Sequence, residues 1–161
     1  MYYFRRYLSP VGELTLASDG KNLTGLWLRG QEHFARNHTD PVERADLAVF
    51  QDTALWLDRY FAGEQACPTD LPLKPTGSDF QQKVWNFLQT IPSGRTVTYG
   101  DIAKALGSPK AARAVGAAVG LNPISIIIPC HRVIGSGGKL TGYAGGLPAK
   151  IWLLRHEGIS M

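Results

Sequence analysis

With 161 residues, 44% of them hydrophobic and 19% charged, the chain is long enough for one ordinary domain or two small ones and has the composition of a folded globular protein. Apolar runs such as Ile126-Ile127-Ile128 are too short to span a bilayer, and Met1-Tyr2-Tyr3-Phe4-Arg5-Arg6 lacks the features of a signal peptide, so a cytoplasmic protein without a membrane partner is expected. The net charge of +4 is uneven: residues 1–77 hold 8 Lys/Arg against 10 Asp/Glu and residues 78–161 hold 9 against 3, so the second half suits a polyanion.

Tyr2 to Leu8, Glu13 to Ala17 and Leu23 to Leu28 are strand-like runs separated by the turn formers Ser9-Pro10-Val11-Gly12 and Asp19-Gly20-Lys21-Asn22, which predicts an antiparallel meander. Leu47, Phe50, Ala54, Leu57 and Phe61 then recur at helical spacing, and Gly63 stops the helix. Three prolines between Cys67 and Gly77 predict a linker over residues 68–77, joining a first lobe (1–67) to a second (78–161).

The second lobe opens on a capping box, Ser78 with Gln81, ahead of a helix whose buried stripe is Val84, Phe87, Leu88 and Ile91. Thr98 and Asp101 repeat the spacing and start a helix through Leu106. Gly107 breaks it, Ser108 is placed to cap a second helix, and Pro109 sits at that helix's first position. Two short helices around a glycine turn in a basic lobe are a helix-turn-helix candidate, a pairing also common in proteins that bind no DNA. Ile124 to Ile128 reads as a buried strand leading into Pro129-Cys130-His131-Arg132. A glycine-rich loop follows over 135–146, and a last helix runs from Pro148 to Glu157.

On the 109–120 helix, Ala111, Ala112, Val115, Ala118 and Val119 fall on one side, and Lys110, Arg113, Gly116, Ala117 and Gly120 on the other. Glycine on a solvated helix face costs about 1 kcal/mol against alanine. A smooth ridge with one projecting Arg fits close approach to a narrow groove, and fits equally a tight packing surface within the protein.

Cys130 beside His131 is a candidate thiolate nucleophile whose pKa basic neighbours would lower. In extended backbone the two side chains point apart, so a water between them is expected, with Glu157, one of three acids in this lobe, orienting the imidazole. A lone Cys-His pair by itself favours a structural role, and it is the motif around it that overturns this. Two cysteines and four scattered histidines give no metal-ligand spacing, and no metal or cofactor is expected. Gly138-Lys139 does not end a phosphate-binding loop, because Val133 and Leu140 occupy two of its required positions.

Asn122-Pro123, Ile128-Pro129-Cys130-His131-Arg132-Val133 and Gly142-Tyr143-Ala144-Gly145-Gly146 resemble the O6-alkylguanine-DNA alkyltransferase family, as do Thr98-Tyr99-Gly100, Ala112-Arg113-Ala114-Val115-Gly116 and Leu153-Leu154-Arg155-His156-Glu157-Gly158. The likeness covers Ser78 to Gly158 closely and the first lobe loosely, through Ser9-Pro10-Val11-Gly12-Glu13-Leu14 and Tyr60-Phe61-Ala62-Gly63. It implies an α/β (α+β) protein with a ribonuclease-H-like sheet-plus-helix first lobe. The second lobe would be mainly helical and hold the helix-turn-helix and the reactive cysteine. It further implies single-turnover transfer of an alkyl group from guanine O6 in DNA to Cys130, with O4-alkylthymine as a secondary substrate.

In the roles so implied, His131 is the base through a water, Glu157 its orienter, and Asn122 a buried bridge. Tyr99 helps rotate the nucleotide out, and Arg113 fills the gap left behind. Lys110, Ala111, Ala112, Ala114, Gly116 and Ala117 lie against the minor groove of double-stranded DNA. Tyr143, Ala144 and Val133 line the guanine site, and the protein acts as a monomer. Ala144 stands where some members have serine, and the first lobe lacks the zinc ligands of some larger members. Competing readings are an alkyl-lesion-binding protein without transfer, which the presence of Cys130 opposes, and a thiol hydrolase using Cys130, His131 and Glu157.

Overall fold

A computed structural model describes residues 1–160, which form two compact units. The first comprises Met1–Thr76 together with Pro123–Ile127; the second comprises Gly77–Asn122 and the chain from Ile128 on.

In the first unit, β1 (Tyr2–Ser9), β2 (Gly12–Ser18) and β3 (Leu23–Leu28) form the expected antiparallel meander. The first hairpin is tight because Gly12 takes φ +105°, which a residue with a Cβ rarely adopts. A fourth strand, β4 (Pro41–Glu43), runs parallel to β1 and completes the order β3-β2-β1-β4. Its three residues are all exposed and carry no alternation that sequence reasoning could read. Helix α1 (Ala48–Phe61) packs on β1 and β2, burying Phe50, Trp56 and Leu57 in a core that includes Leu14 and Leu16. It ends at Gly63 in the left-handed region, with the Glu64 amide bonded back to the Arg59 carbonyl.

The proline-rich stretch expected as a linker is instead fastened along β3. The Leu23 amide donates to the Pro72 carbonyl and the Lys74 amide to the Leu23 carbonyl, both at 2.8 Å, and Leu71 is buried. Prolines here cost nothing because the bonds use the Pro72 carbonyl and the N–H of Lys74. The expected boundary is also crossed at 123–127, where Leu26 donates to the Pro123 carbonyl at 2.9 Å and Ser125 to the Leu26 carbonyl at 3.0 Å.

The second unit is mainly helical: α2 (Asp79–Leu88), α3 (Tyr99–Ala105), α4 (Ala112–Gly120) and α5 (Leu147–His156), with a two-stranded parallel pair of β5 (Val97–Thr98) and β6 (Val133–Ile134). Both expected capping boxes form, Ser78 with Gln81 and Thr98 with Asp101. Trp85 of α2 is buried and donates its indole N–H to the Ala118 carbonyl of α4 at 2.8 Å. Among the described residues no helix is long and apolar enough to cross a membrane.

Two expectations for this region are corrected. The second helix of the pair starts at Ala112, with Ala111 as its cap, and not at Pro109. The Ser108 carbonyl accepts the Ala111 amide and so closes a separate turn, leaving Lys110 and Ala111 ahead of the helix. Residues 124–128 do not form a strand either; the ladder contact they make is an isolated bridge between Leu26 and Ile124. The Ile127 amide bonds to the Ser125 carbonyl at 2.8 Å across Ile126 with φ 71°, the strained form of γ-turn. The Cys130 amide then bonds to the Ile128 carbonyl at 2.8 Å across Pro129 (φ −81°, ψ 68°), the inverse form. A β-branched residue in the left-handed region costs about 1–3 kcal/mol, which the surrounding packing must offset.

Candidate active site

Cys130, His131 and Arg132 occupy one turn of 3-10 helix, and all three are buried, with Cys130 4% and His131 0% exposed. The alternation expected of extended backbone therefore does not apply to Cys130 and His131.

His131 Nε2 lies 2.6 Å from Glu157 Oε2, with both side chains almost wholly buried. Burial works to raise the Glu157 carboxyl, but hydrogen bonds from His131 and Arg132 outweigh it and bring its pKa to about 2. Burial pushes His131 down, against the pull of Glu157, which favours the neutral imidazole. A carboxylate can only accept, hence Nε2 carries the proton and Nδ1 is left as the lone-pair nitrogen. That Nδ1 is buried and has no protein hydrogen-bond partner among the described residues.

Arg132 receives no role from the sequence and is the element that holds the array. Its Nε donates to Glu157 Oε1 at 2.7 Å, its Nη2 to Oε2 at 3.1 Å and its Nη1 to the Ile91 carbonyl at 2.6 Å. A signal exists: Asp79 and Asp101 serve helix first turns, which leaves Glu157 as the one acid in this unit to meet a buried cation.

Burial pushes the Cys130 thiol up, contrary to the lowering expected from its neighbours. What pulls it back is a hydrogen bond from Asn122, the charge of Lys150 and the side chain of Tyr143, and not His131. Asn122 is buried after α4 and donates from Nδ2 to the Ile128 carbonyl at 2.8 Å, fixing the backbone two residues ahead of the thiol.

Lys150 is a second residue that sequence reasoning misses. It is 1% exposed, its pKa is lowered by burial, and Nζ donates to the Val133 carbonyl at 2.6 Å and the Thr141 carbonyl at 3.3 Å. Its place on the same face of α5 as the buried Leu153 and Leu154 is the available clue. Val133 is buried in β6, while Tyr143 and Ala144 are half-buried in the glycine-rich segment.

On α4, Val115, Ala118 and Val119 are buried. Arg113, Ala114, Ala117 and Gly120 are exposed, and Ala112 and Gly116 are half-buried. Lys110 is exposed in the turn before the helix, and Ala111 is half-buried at its cap. Tyr99 begins α3, and its hydroxyl lies 2.7 Å from that of Thr141.

Two family models match the chain: the DNA-binding domain of 6-O-methylguanine DNA methyltransferase over residues 79–159 and its ribonuclease-like domain over residues 2–75. A methylated-DNA–protein-cysteine methyltransferase of Haemophilus influenzae is 48% identical over 98% of this chain and 87% of its own. A protein of the same name from Methanosarcina acetivorans is 46% identical over 97% and 98%. The crystal structure of Mycobacterium tuberculosis OGT in complex with DNA superposes with a TM-score of 0.84 at 48% identity, covering 97% of this chain and 93% of that one. With both of its units matched and this degree of identity along nearly its whole length, the chain belongs to the 6-O-methylguanine DNA methyltransferase family.

Proposed function

We propose that this protein repairs DNA by moving an alkyl group from guanine O6 irreversibly onto Cys130. The observation that carries the reading is the 2.6 Å contact of His131 Nε2 with Glu157, which leaves Nδ1, in the residue next to the thiol, without a protein partner among the described residues and free to take a proton. In the reaction the Cys130 proton passes to Nδ1, directly or through a water, and the sulfur attacks the alkyl carbon. The new S–C bond forms as the C–O bond breaks, and its electron pair stays with the departing guanine, which takes up a proton. Tyr143 donates to that guanine, Val133 and Ala144 line its site, and Asn122 steadies the thiol. A buried thiol with a raised pKa suits this chemistry, because it is ionised by proton transfer when substrate arrives and is not exposed as a reactive thiolate beforehand. The resulting thioether has no easy hydrolysis, so each molecule acts once.

The alkylated base must leave the stack to reach a buried thiol. Tyr99 turns the nucleotide out and Arg113 fills the gap. Lys110 and the small-residue run Ala111, Ala112, Ala114, Gly116 and Ala117 meet the minor groove of double-stranded DNA. Support comes from the exposed, small-residue face of α4 with its one long cation. The protein acts as a monomer in the cytoplasm.

The test is transfer from a duplex containing radiolabelled O6-methylguanine, with the labelled peptide mapped. Wild-type protein takes up one label per molecule on Cys130, and Cys130→Ser takes up none while still binding the duplex. Repeated turnover, or label on Cys67, refutes the assignment.

A further inference from the structure

We propose that Thr141 is a positioning residue for nucleotide flipping, its hydroxyl setting the orientation of Tyr99. This rests on the role given to Tyr99 in the proposed function. The Tyr99 and Thr141 hydroxyl oxygens are 2.7 Å apart, and both residues are half-buried. The Tyr99 ring lies over Gly116 of α4, where an added Cβ would meet its Cδ1 and Cε1 at 3.7 and 3.8 Å. Gly116 itself places no side chain against the ring. The hydroxyl contact at the tip fixes where the Tyr99 oxygen sits.

Thr141 is itself held at two points. Its carbonyl accepts from Lys150 Nζ at 3.3 Å. Its methyl fills the space beside Gly135, where an added Cβ would come within 2.8 Å of Thr141 Cγ2. Threonine is stiff at χ1 because it is β-branched, so seating the methyl also aims the hydroxyl. The neighbouring residues 139–143 form no helix or strand, and Thr141 is where this stretch is tied to the N-terminus of α3. One side chain therefore connects the glycine-rich segment, which carries Tyr143, to the residue assigned to flipping.

The arrangement predicts a selective defect. Thr141→Val keeps the branched shape and seats a methyl beside Gly135, but has no hydroxyl for Tyr99. Flipping from a duplex suffers, whereas a free base needs no flipping.

Single-turnover rates are measured with a methylguanine duplex and with free O6-benzylguanine, alongside the thermal midpoint, for wild type, Thr141→Val, Thr141→Ser, Tyr99→Phe and the Tyr99→Phe/Thr141→Val double variant. The loss of one neutral hydrogen bond predicts that Val slows the duplex reaction roughly three- to tenfold and leaves the free-base reaction within about twofold. Ser, which retains the hydroxyl, recovers most of the duplex rate. In the Tyr99→Phe background the Val substitution adds no further loss, since the contact is already gone. The role of Thr141 is overturned if Val matches wild type on the duplex, if both substrates slow equally, if Ser is as slow as Val, or if the losses add in the double variant. A wild type that transfers nothing to Cys130 refutes the proposed function itself, whereas normal wild-type transfer with an indifferent Val variant refutes only the inference about Thr141.

Discussion

Replacing Glu157 by Gln keeps the shape of the side chain and removes the charge that Arg132 and His131 share. The carboxylate is 1% exposed and accepts from Arg132 Nε, Arg132 Nη2 and His131 Nε2. Its pKa of about 2 against an ordinary 4.5 corresponds to roughly 3 kcal/mol of stabilisation of the ionised form. Breaking a buried ion pair from one side independently costs about 3–5 kcal/mol, because the remaining charge is left uncompensated. Arg132 is only 7% exposed and cannot escape to water without dragging its turn along. A chain of this size loses about 2–4 °C of melting temperature per kcal/mol, so Glu157→Gln should melt roughly 6–12 °C lower at pH 7. The sign with pH follows from a depressed carboxylate. Its contribution is complete above about pH 4.5, where the unfolded carboxyl is ionised too, and is lost as pH falls through 4.5 towards 2. Thermal unfolding of both proteins across pH 7 to 3 should give a constant gap down to about pH 5 and a narrowing one below. A midpoint at pH 7 within about 2 °C of wild type, or a gap indifferent to acid, refutes this account of the array.

Arg113→Ala should slow repair of a duplex at least tenfold more than reaction with free O6-benzylguanine, because only the duplex requires the gap in the stack to be filled; equal slowing in the two assays contradicts a role in flipping. Lys150→Met removes the buried cation that pulls the Cys130 thiol down, so the pH profile of its alkylation by iodoacetamide should move to higher pH, a displacement of one pH unit slowing the reaction about tenfold at neutral pH. An unchanged profile would show that the lysine serves only the carbonyls of Val133 and Thr141.

Local signals in the sequence are reliable where the physics is local. The capping boxes at Ser78 and Thr98 need only their own backbone amides, and both form with the expected partners. Of the side of α4 set apart by periodicity, Val115, Ala118 and Val119 are buried, whereas Ala111 and Ala112 at its start are only half-buried. The strand expected over residues 124–128 does not form, because an apolar β-branched run satisfies any buried conformation equally well. Its two γ-turns depend on partners elsewhere in the chain: Leu26 takes the Pro123 carbonyl, Gln31 the Ser125 hydroxyl and Asn122 the Ile128 carbonyl. The start of α4 differs from expectation for a related reason: a serine followed by proline marks a turn as well as a cap, and here it closes the turn Ser108–Ala111. Arg132 and Lys150 escape notice because a basic residue is assigned to solvent by default, and only the fold reveals the carbonyls and carboxylate waiting for it.

The excursion of residues 123–127 onto β3 also orders events along the folding pathway. Gln31 and Ser125 are 94 positions apart, and closing so large a loop forfeits chain entropy that no local contact returns. The turns of α2, α3 and α4 nucleate from neighbours in sequence, whereas the Leu26–Ile124 bridge must wait until β3 exists to receive it. Cys130 follows in the chain from that contact, through the second γ-turn at Pro129. Asn122, Tyr143 and Lys150, which act on the Cys130 thiol, all belong to the second unit and need no such closure. Contacts of long range complete the first unit, whereas the surroundings of the second unit's buried thiol are drawn from that unit's own chain.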